Sequence, residues 1–200
     1  GAIPGERVRA RVERVAKGVV YGETVEVVQA SPDRRRPEGD WRCGGHVFAH
    51  VATERHVELK ADIVVDAFAR LARYTLPERP VVCPSPLEGY RLRARLHVQD
   101  GVVGFLREGT HEVCPAGPTR QLLPATVDWL GRLQTALTAN PALAVTSIEL
   151  AENLDATERV CHIELAAGTD ARAALVFTDP ALSGLCAQSA DRRQIGRAHV

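Results

Sequence analysis

The run Gly89–Leu96, GYRLRARL, sets three arginines, Arg91, Arg93 and Arg95, at every second position. Alternate side chains of an extended strand share one face, so three guanidinium groups would stand about 7 Å apart along it. That spacing approaches the separation of successive phosphates on a nucleic-acid strand, and the planar guanidinium fork suits phosphate oxygens and stacks on bases. Asp100-Gly101 follows as a hairpin signal. The returning strand, Val102 to Arg107, would add Phe105 for stacking and Arg107 for charge. The competing reading is a solvated sheet face whose arginines are paired to carboxylates on neighbouring strands. One observation separates them: if all three arginines of the stripe lie against acidic neighbours with no open cationic surface, the nucleic-acid reading fails.

A second constellation is Cys43-Gly44-Gly45-His46. A cysteine and a histidine with two residues between them can chelate one metal, and the glycines allow the tight turn this needs. Cys114 could add a third donor, and His50 or His111 could complete a Cys2His2 zinc set. The alternative is a structural turn with a free thiol. Cys83, Cys161 and Cys186 stand in no recognisable motif, and Cys161, in the middle of a strand pattern, reads as a buried and inert thiol. There is no glycine-rich dinucleotide fingerprint, no phosphate-binding loop and no nucleophile motif.

The elements that must position these residues follow from periodicity. Residues 6–15 alternate apolar and charged side chains, with Val8, Val12 and Val15 among Arg7, Arg9, Arg11 and Arg14. This predicts a half-buried strand; a turn near Gly18 or Gly22 leads to a second one over 24–28. Short strands with one basic face suggest part of a small barrel of the OB type. Residues 31–42, with two prolines and the triplet Arg34-Arg35-Arg36, read as a linker and domain boundary. Val57, Ala61, Val64, Phe68 and Leu71 form one apolar stripe, predicting a helix over 52–73. The strand carrying the arginines is expected over 90–98. A second helix is expected over 119–137 with a kink at Pro124, and a second hairpin over 145–151 and 160–166. Residues 170–190 are ambiguous between helix and strand.

Composition bounds the rest. The 200 residues are 45% hydrophobic and 4% aromatic, so aliphatic side chains must fill the core. Charge balances at 25 basic and 25 acidic residues, but residues 1–107 hold 18 basic against 14 acidic and the remainder 7 against 11. A polyanion would meet the front part. No apolar run is long enough to cross a membrane, five irregularly spaced cysteines argue against a secreted disulfide scaffold, and a cytoplasmic setting is expected. There is no methionine, so the natural start is expected to be missing or removed. Residues 195–200, IGRAHV, read as a non-native tail and are set aside from the fold.

In order along the chain stand IPGERVRARV (3–12), SPDRRRP (31–37), CGGHVFAHV (43–51), GYRLRARL (89–96), GFLREGTHEVCP (104–115) and SIELAEN (147–153). Together these segments resemble the TrmA/RumA family of SAM-dependent RNA (uracil-5-)-methyltransferases. The resemblance implies an α+β chain. Residues 1–37 would be the C-terminal part of a TRAM domain, an OB-like β-barrel. Residues 43–185 would form a central domain of antiparallel β-hairpins with two helices, and the methyltransferase domain would be absent. It implies RNA, ribosomal or transfer, as partner, a monomer without membrane attachment, and SAM as cofactor of the parent protein at a site outside this chain. The family's reaction, addition of a cysteine to a flipped-out uracil and methylation at C5, uses motifs not found here. No residue of the chain is therefore expected to be catalytic, and the chain alone is expected to be inactive.

The resemblance also implies Arg91, Arg93, Arg95, Phe105 and Arg107 as the RNA-facing set, with Arg34–Arg36 secondary. Many family members hold a [4Fe–4S] cluster. Here Cys43 matches its second ligand position and Cys114 its fourth, while His46 occupies the third and Pro37 the first, so an intact cluster is not expected. Two other readings of the chain stay open: a non-enzymatic RNA-binding module, and a small metal or redox protein built on Cys43, His46 and Cys114.

Overall fold

The computed structural model describes residues 1–176, 179–191 and 194–198, with side chains except at 175, 176 and 194–198. The chain divides into two compact units, Gly1–Trp41 with His46–Pro84, and Arg42–Gly45 with Ser85–Val200.

In the first unit, strands β1 (Arg7–Ala16) and β2 (Val19–Gln29) pair antiparallel around Lys17-Gly18, both at positive φ. Gly18 is therefore the turn, while Gly22 sits within β2 opposite Val12. Among the described residues this sheet has two strands and closes no barrel. The half-buried strand expected over 6–15 is not found: the pairing shifts register at three places, and with no second layer among the described residues Val12, Val15, Val20, Val25 and Val28 are all exposed. The linker over 31–42 carries no regular element and is pinned by a part-buried ion pair. Arg34 donates from Nε and Nη2 to the Glu6 carboxylate, both at 2.6 Å, and Glu6 also accepts from the backbone N–H groups of Ile3 and Ser31.

Helix α1 spans Thr53–Leu71, within the expected range, and Arg73 at φ +52° turns the chain away from its end. Its buried Leu59 packs with Ile3, Val51 and Phe48. This small cluster ties helix α1 to the front of the chain, within the first unit. Less than half of the expected stripe is used, since Val64, Phe68 and Leu71 are exposed.

The second unit is one mixed sheet with its core on one face. Strands β3 (Arg93–Gln99), β4 (Val102–Leu106) and β5 (Val113–Pro115) are followed by helix α2 (Pro124–Ala139). Then come β6 (Val145–Glu152), β7 (Arg159–Leu165), β8 (Gly184–Ser189) and β9 (Gln194–Ala198). The spatial order is β5-β4-β3-β6-β7-β8-β9. Neighbours are antiparallel except β7 and β8, which are parallel. A parallel pair needs a crossover, here residues 166–183 with a 3-10 segment at Ala171–Val176; this resolves the ambiguous stretch and departs from an all-hairpin domain. Of the residues 195–200 set aside in the sequence reading, 195–198 pair with β8 as part of β9, while residues 199 and 200 lie outside the described residues.

Asp100 and Gly101 both take positive φ, the two-residue turn that matches strand twist. Pro124 does not kink α2 but opens it: proline lacks the N–H that a first helical residue leaves unused, and it holds Leu123 extended at ψ 146°. Trp129, Leu130, Leu133 and Leu137 of α2 are buried with Leu96, Ile148, Leu150, Ile163 and Leu185 of the sheet. Gly104 has no alternative residue, because a Cβ there would collide with the Cys114 carbonyl on β5.

Candidate nucleic-acid interface

The sheet face opposite α2 is open, and β3 lies near its middle. Ala94 and Leu96 point into the core while Arg93 and Arg95 are exposed, as the alternation requires. The stripe is shorter than expected. Leu92 is a bend, so the strand begins at Arg93, and Arg91 leaves the row: its N–H bonds the Gln121 carbonyl and its guanidinium lies 5.2 Å from the centre of the Phe105 ring. Phe105 is only 5% exposed and belongs to the core. It therefore offers no face to a base, and its expected role in stacking is corrected to that of a platform beneath Arg91.

The two remaining arginines differ. Arg95 donates to Glu164 at 2.9 Å and lies 3.7 Å from Glu149. The Glu164 carboxyl is held below its ordinary range, first by the Ser147 hydroxyl that donates to it and further by Arg95. Arg93 has no ion pair among the described residues; directly opposite it on β6 stands Ala151. Around these two arginines runs a groove of about 540 Å³, floored by Ala151, Val160 and Cys186 and edged by Glu149 and His162. Arg107 donates to Glu112 at 2.8 Å across the β4–β5 turn.

The other basic clusters are neutralised within their own unit. Arg9 meets Glu26 and Arg11 meets Glu23, each at 2.5 Å, and Arg14 covers the Tyr21 ring at 4.0 Å. Arg34 is committed to Glu6, whose carboxyl this contact holds down at about 2. Arg35 donates to the carbonyls of Pro32 and Arg34; both it and Arg36 are exposed and have no ion pair among the described residues.

The expected metal donors do not assemble. Cys43 and Cys114 are joined to each other as a disulfide, with Cα atoms 6.1 Å apart. His46 Nδ1 faces the Asp40 carbonyl at 3.2 Å within the first unit. Among the described residues no three His, Cys, Asp or Glu side chains converge as a metal site. With two thiols where a [4Fe–4S] cluster needs four ligands, and those two bonded together, the donor set does not fit the cluster. Cys161 is buried, and desolvation pushes its thiol up to about 12, in keeping with an inert role.

One group escaped the sequence reading. Arg159 and Glu152, almost wholly buried, pair at 2.7 Å, and Thr126 donates to Glu152 while accepting from Arg159. The Arg159 guanidinium lies 5.1 Å from the Trp129 ring. A signal existed: Arg159 is in phase with Cys161, Ile163 and Leu165, and it faces Glu152 in the β6–β7 register. Opposite charges at matched core positions mark a buried pair.

Comparison with known proteins agrees with this architecture. No family model matches. The chain is 34% identical over 189 residues to the 23S rRNA (uracil(1939)-C(5))-methyltransferase RlmD of Alkalilimnicola ehrlichii, covering 88% of this chain and 38% of that protein. It is 31% identical over 185 residues to the same enzyme of Methylococcus capsulatus, with the same two coverages. Among solved structures it resembles the Pyrococcus abyssi tRNA (uracil-54, C5)-methyltransferase in complex with S-adenosyl-L-homocysteine. That match has a TM-score of 0.64 and 20% identity, and it covers 94% of this chain and 45% of that one. The chain thus spans somewhat over a third of the length of the curated relatives it matches. In sequence and in fold it belongs to the family of RNA (uracil-5-)-methyltransferases.

Proposed function

We propose that this chain is the RNA-holding part of a SAM-dependent RNA (uracil-5-)-methyltransferase, and that a single RNA strand lies across the open face of the seven-stranded sheet at Arg93. The observation carrying the reading is the exposed, unpaired Arg93 beside Arg95 at an open groove. An uncompensated guanidinium on a sheet face attracts a phosphate, and Arg95 can exchange Glu164 for a second one as the strand arrives. Arg107 and Arg91 are secondary contributors, the latter from its seat on Phe105. The β1–β2 hairpin is read as the end of a TRAM domain, whose open valine face the remainder of a barrel would cover.

In the whole protein SAM would supply the methyl group for C5 of a uracil in ribosomal or transfer RNA. This chain contributes binding and orientation and no catalytic residue, and it acts as a monomer in the cytoplasm. The test is fluorescence anisotropy with a labelled, uridine-containing single-stranded RNA over a salt series. Arg93→Ala with Arg95→Ala should weaken binding about tenfold and lower the salt slope by about one per arginine. Equal affinity and slope in the variant would remove this face from the function. Incubation of the chain with transcripts and methyl-labelled SAM should transfer no label; transfer would refute the purely binding role.

A further inference from the structure

We propose that Cys43 and Cys114 act as a reversible dithiol–disulfide lock that fastens the Arg42–Gly45 segment to the β4–β5 edge of the second unit. The segment is four residues long, and its sequence neighbours on both sides, Trp41 and His46, are assigned to the other unit. Hydrogen bonds also tie it to the second unit. Gly44 N–H bonds the Leu106 carbonyl at 3.2 Å, Glu108 N–H bonds the Arg42 carbonyl at 2.8 Å, and Gln121 Nε2 bonds the Gly44 carbonyl at 2.6 Å. Cys43 forms a lone bridge with Arg107. The Gln121 tie is imperfect, since its Oε1 is buried without a hydrogen-bond partner among the described residues. Gly45, at φ +93°, lies so close to the Gln121 amide that no Cβ fits. The covalent bond across 71 residues is therefore the strongest constraint on the segment.

The site accommodates both redox forms. The Phe105 carbonyl oxygen lies 3.2 Å from Cys114 Sγ, a position to which a thiol can donate and a disulfide sulfur cannot. Reduction thus exchanges the S–S bond for two buried thiols, and the one on Cys114 has an acceptor already in place. Both residues are buried, at 3% and 2% exposure, so exchange requires the segment to lift. The reaction is thiol–disulfide exchange with a low-molecular-weight disulfide such as oxidised glutathione. One protein thiolate attacks it and releases one glutathione thiol. The second protein thiolate then displaces the other glutathione from the mixed disulfide. Two protein thiols are oxidised, one glutathione disulfide is reduced to two thiols, and the protons end on those thiols.

The intact chain is equilibrated across a series of reduced and oxidised glutathione ratios, quenched with an alkylating reagent and analysed by peptide mass spectrometry. Hydrogen exchange is measured on the two end states. The expected result is a peptide cross-link joining Cys43 to Cys114 that titrates reversibly within the series. On reduction, exchange over residues 42–45 and 107–108 should rise at least tenfold while the β6–β7 ladder stays unchanged. The Cys43→Ser, Cys114→Ser double variant should exchange like the reduced protein in every buffer. Failure to form the cross-link at the most oxidising ratio would overturn the proposal. So would a cross-link that no ratio reduces, or exchange over residues 42–45 that ignores the redox state.

Discussion

Two strands of this protein carry the same signature, arginine at alternate positions between apolar residues, and they come to different ends. On β1, Arg9 and Arg11 meet glutamates of β2 directly across the pair, in a sheet with no second layer. On β3, the alternating residues Ala94 and Leu96 are buried under α2, and the arginines stand over a groove where Arg93 meets no carboxylate among the described residues. Alternation fixes which side a residue faces; the partner strand decides whether its charge is spent. β2 supplies Glu23 and Glu26, whereas β6 supplies Glu149 opposite Arg95 but Ala151 opposite Arg93.

A third arginine, Arg159, marks the far end of this comparison, because its charge is buried and fully satisfied. Arg159→Ala leaves the buried Glu152 carboxylate with the Thr126 hydroxyl but without its cation, which should cost about 3–5 kcal/mol; urea unfolding checks this, and a loss below about 1 kcal/mol would show that the pair is not sealed. Next in size is acid sensitivity in the first unit. The Glu6 carboxyl is held down at about 2 against an ordinary 4.5. A lowered folded-state value means the stabilisation is full above pH 4.5 and is lost as pH falls through about 2. Unfolding followed by Trp41 fluorescence between pH 5 and 2 should show this loss, and Glu6→Gln should abolish it.

Smaller effects separate the two arginine strands themselves. Arg93→Ala alone should weaken RNA binding about fivefold, more than Arg95→Ala, whose charge Glu149 and Glu164 already offset; anisotropy would sink the distinction if the order reversed. Smallest of all, Arg11→Ala should change RNA affinity less than twofold and stability by under about 1 kcal/mol, since an exposed ion pair contributes little. An effect on RNA as large as that of Arg93→Ala would mean that the two strands act alike after all.

The sequence by itself determined the elements with clear periodicity. Both hairpins and their turns, the extent of α1, and the facing of Arg93 and Arg95 follow from side-chain alternation and glycine chemistry, which act over a few residues. The family was legible too, since six segments in order leave little room for another origin. Tertiary structure alone decided the rest. A bend at Leu92 took Arg91 out of its row, and β6 and β7 gave Arg95 the carboxylates of Glu149 and Glu164 but gave Arg93 none among the described residues. Phe105 went into the core because β4 pairs between β3 and β5. Cys43 met Cys114 across 71 residues. Each of these depends on contacts between residues far apart in the chain, and local periodicity carries no information about which distant side chain will stand opposite.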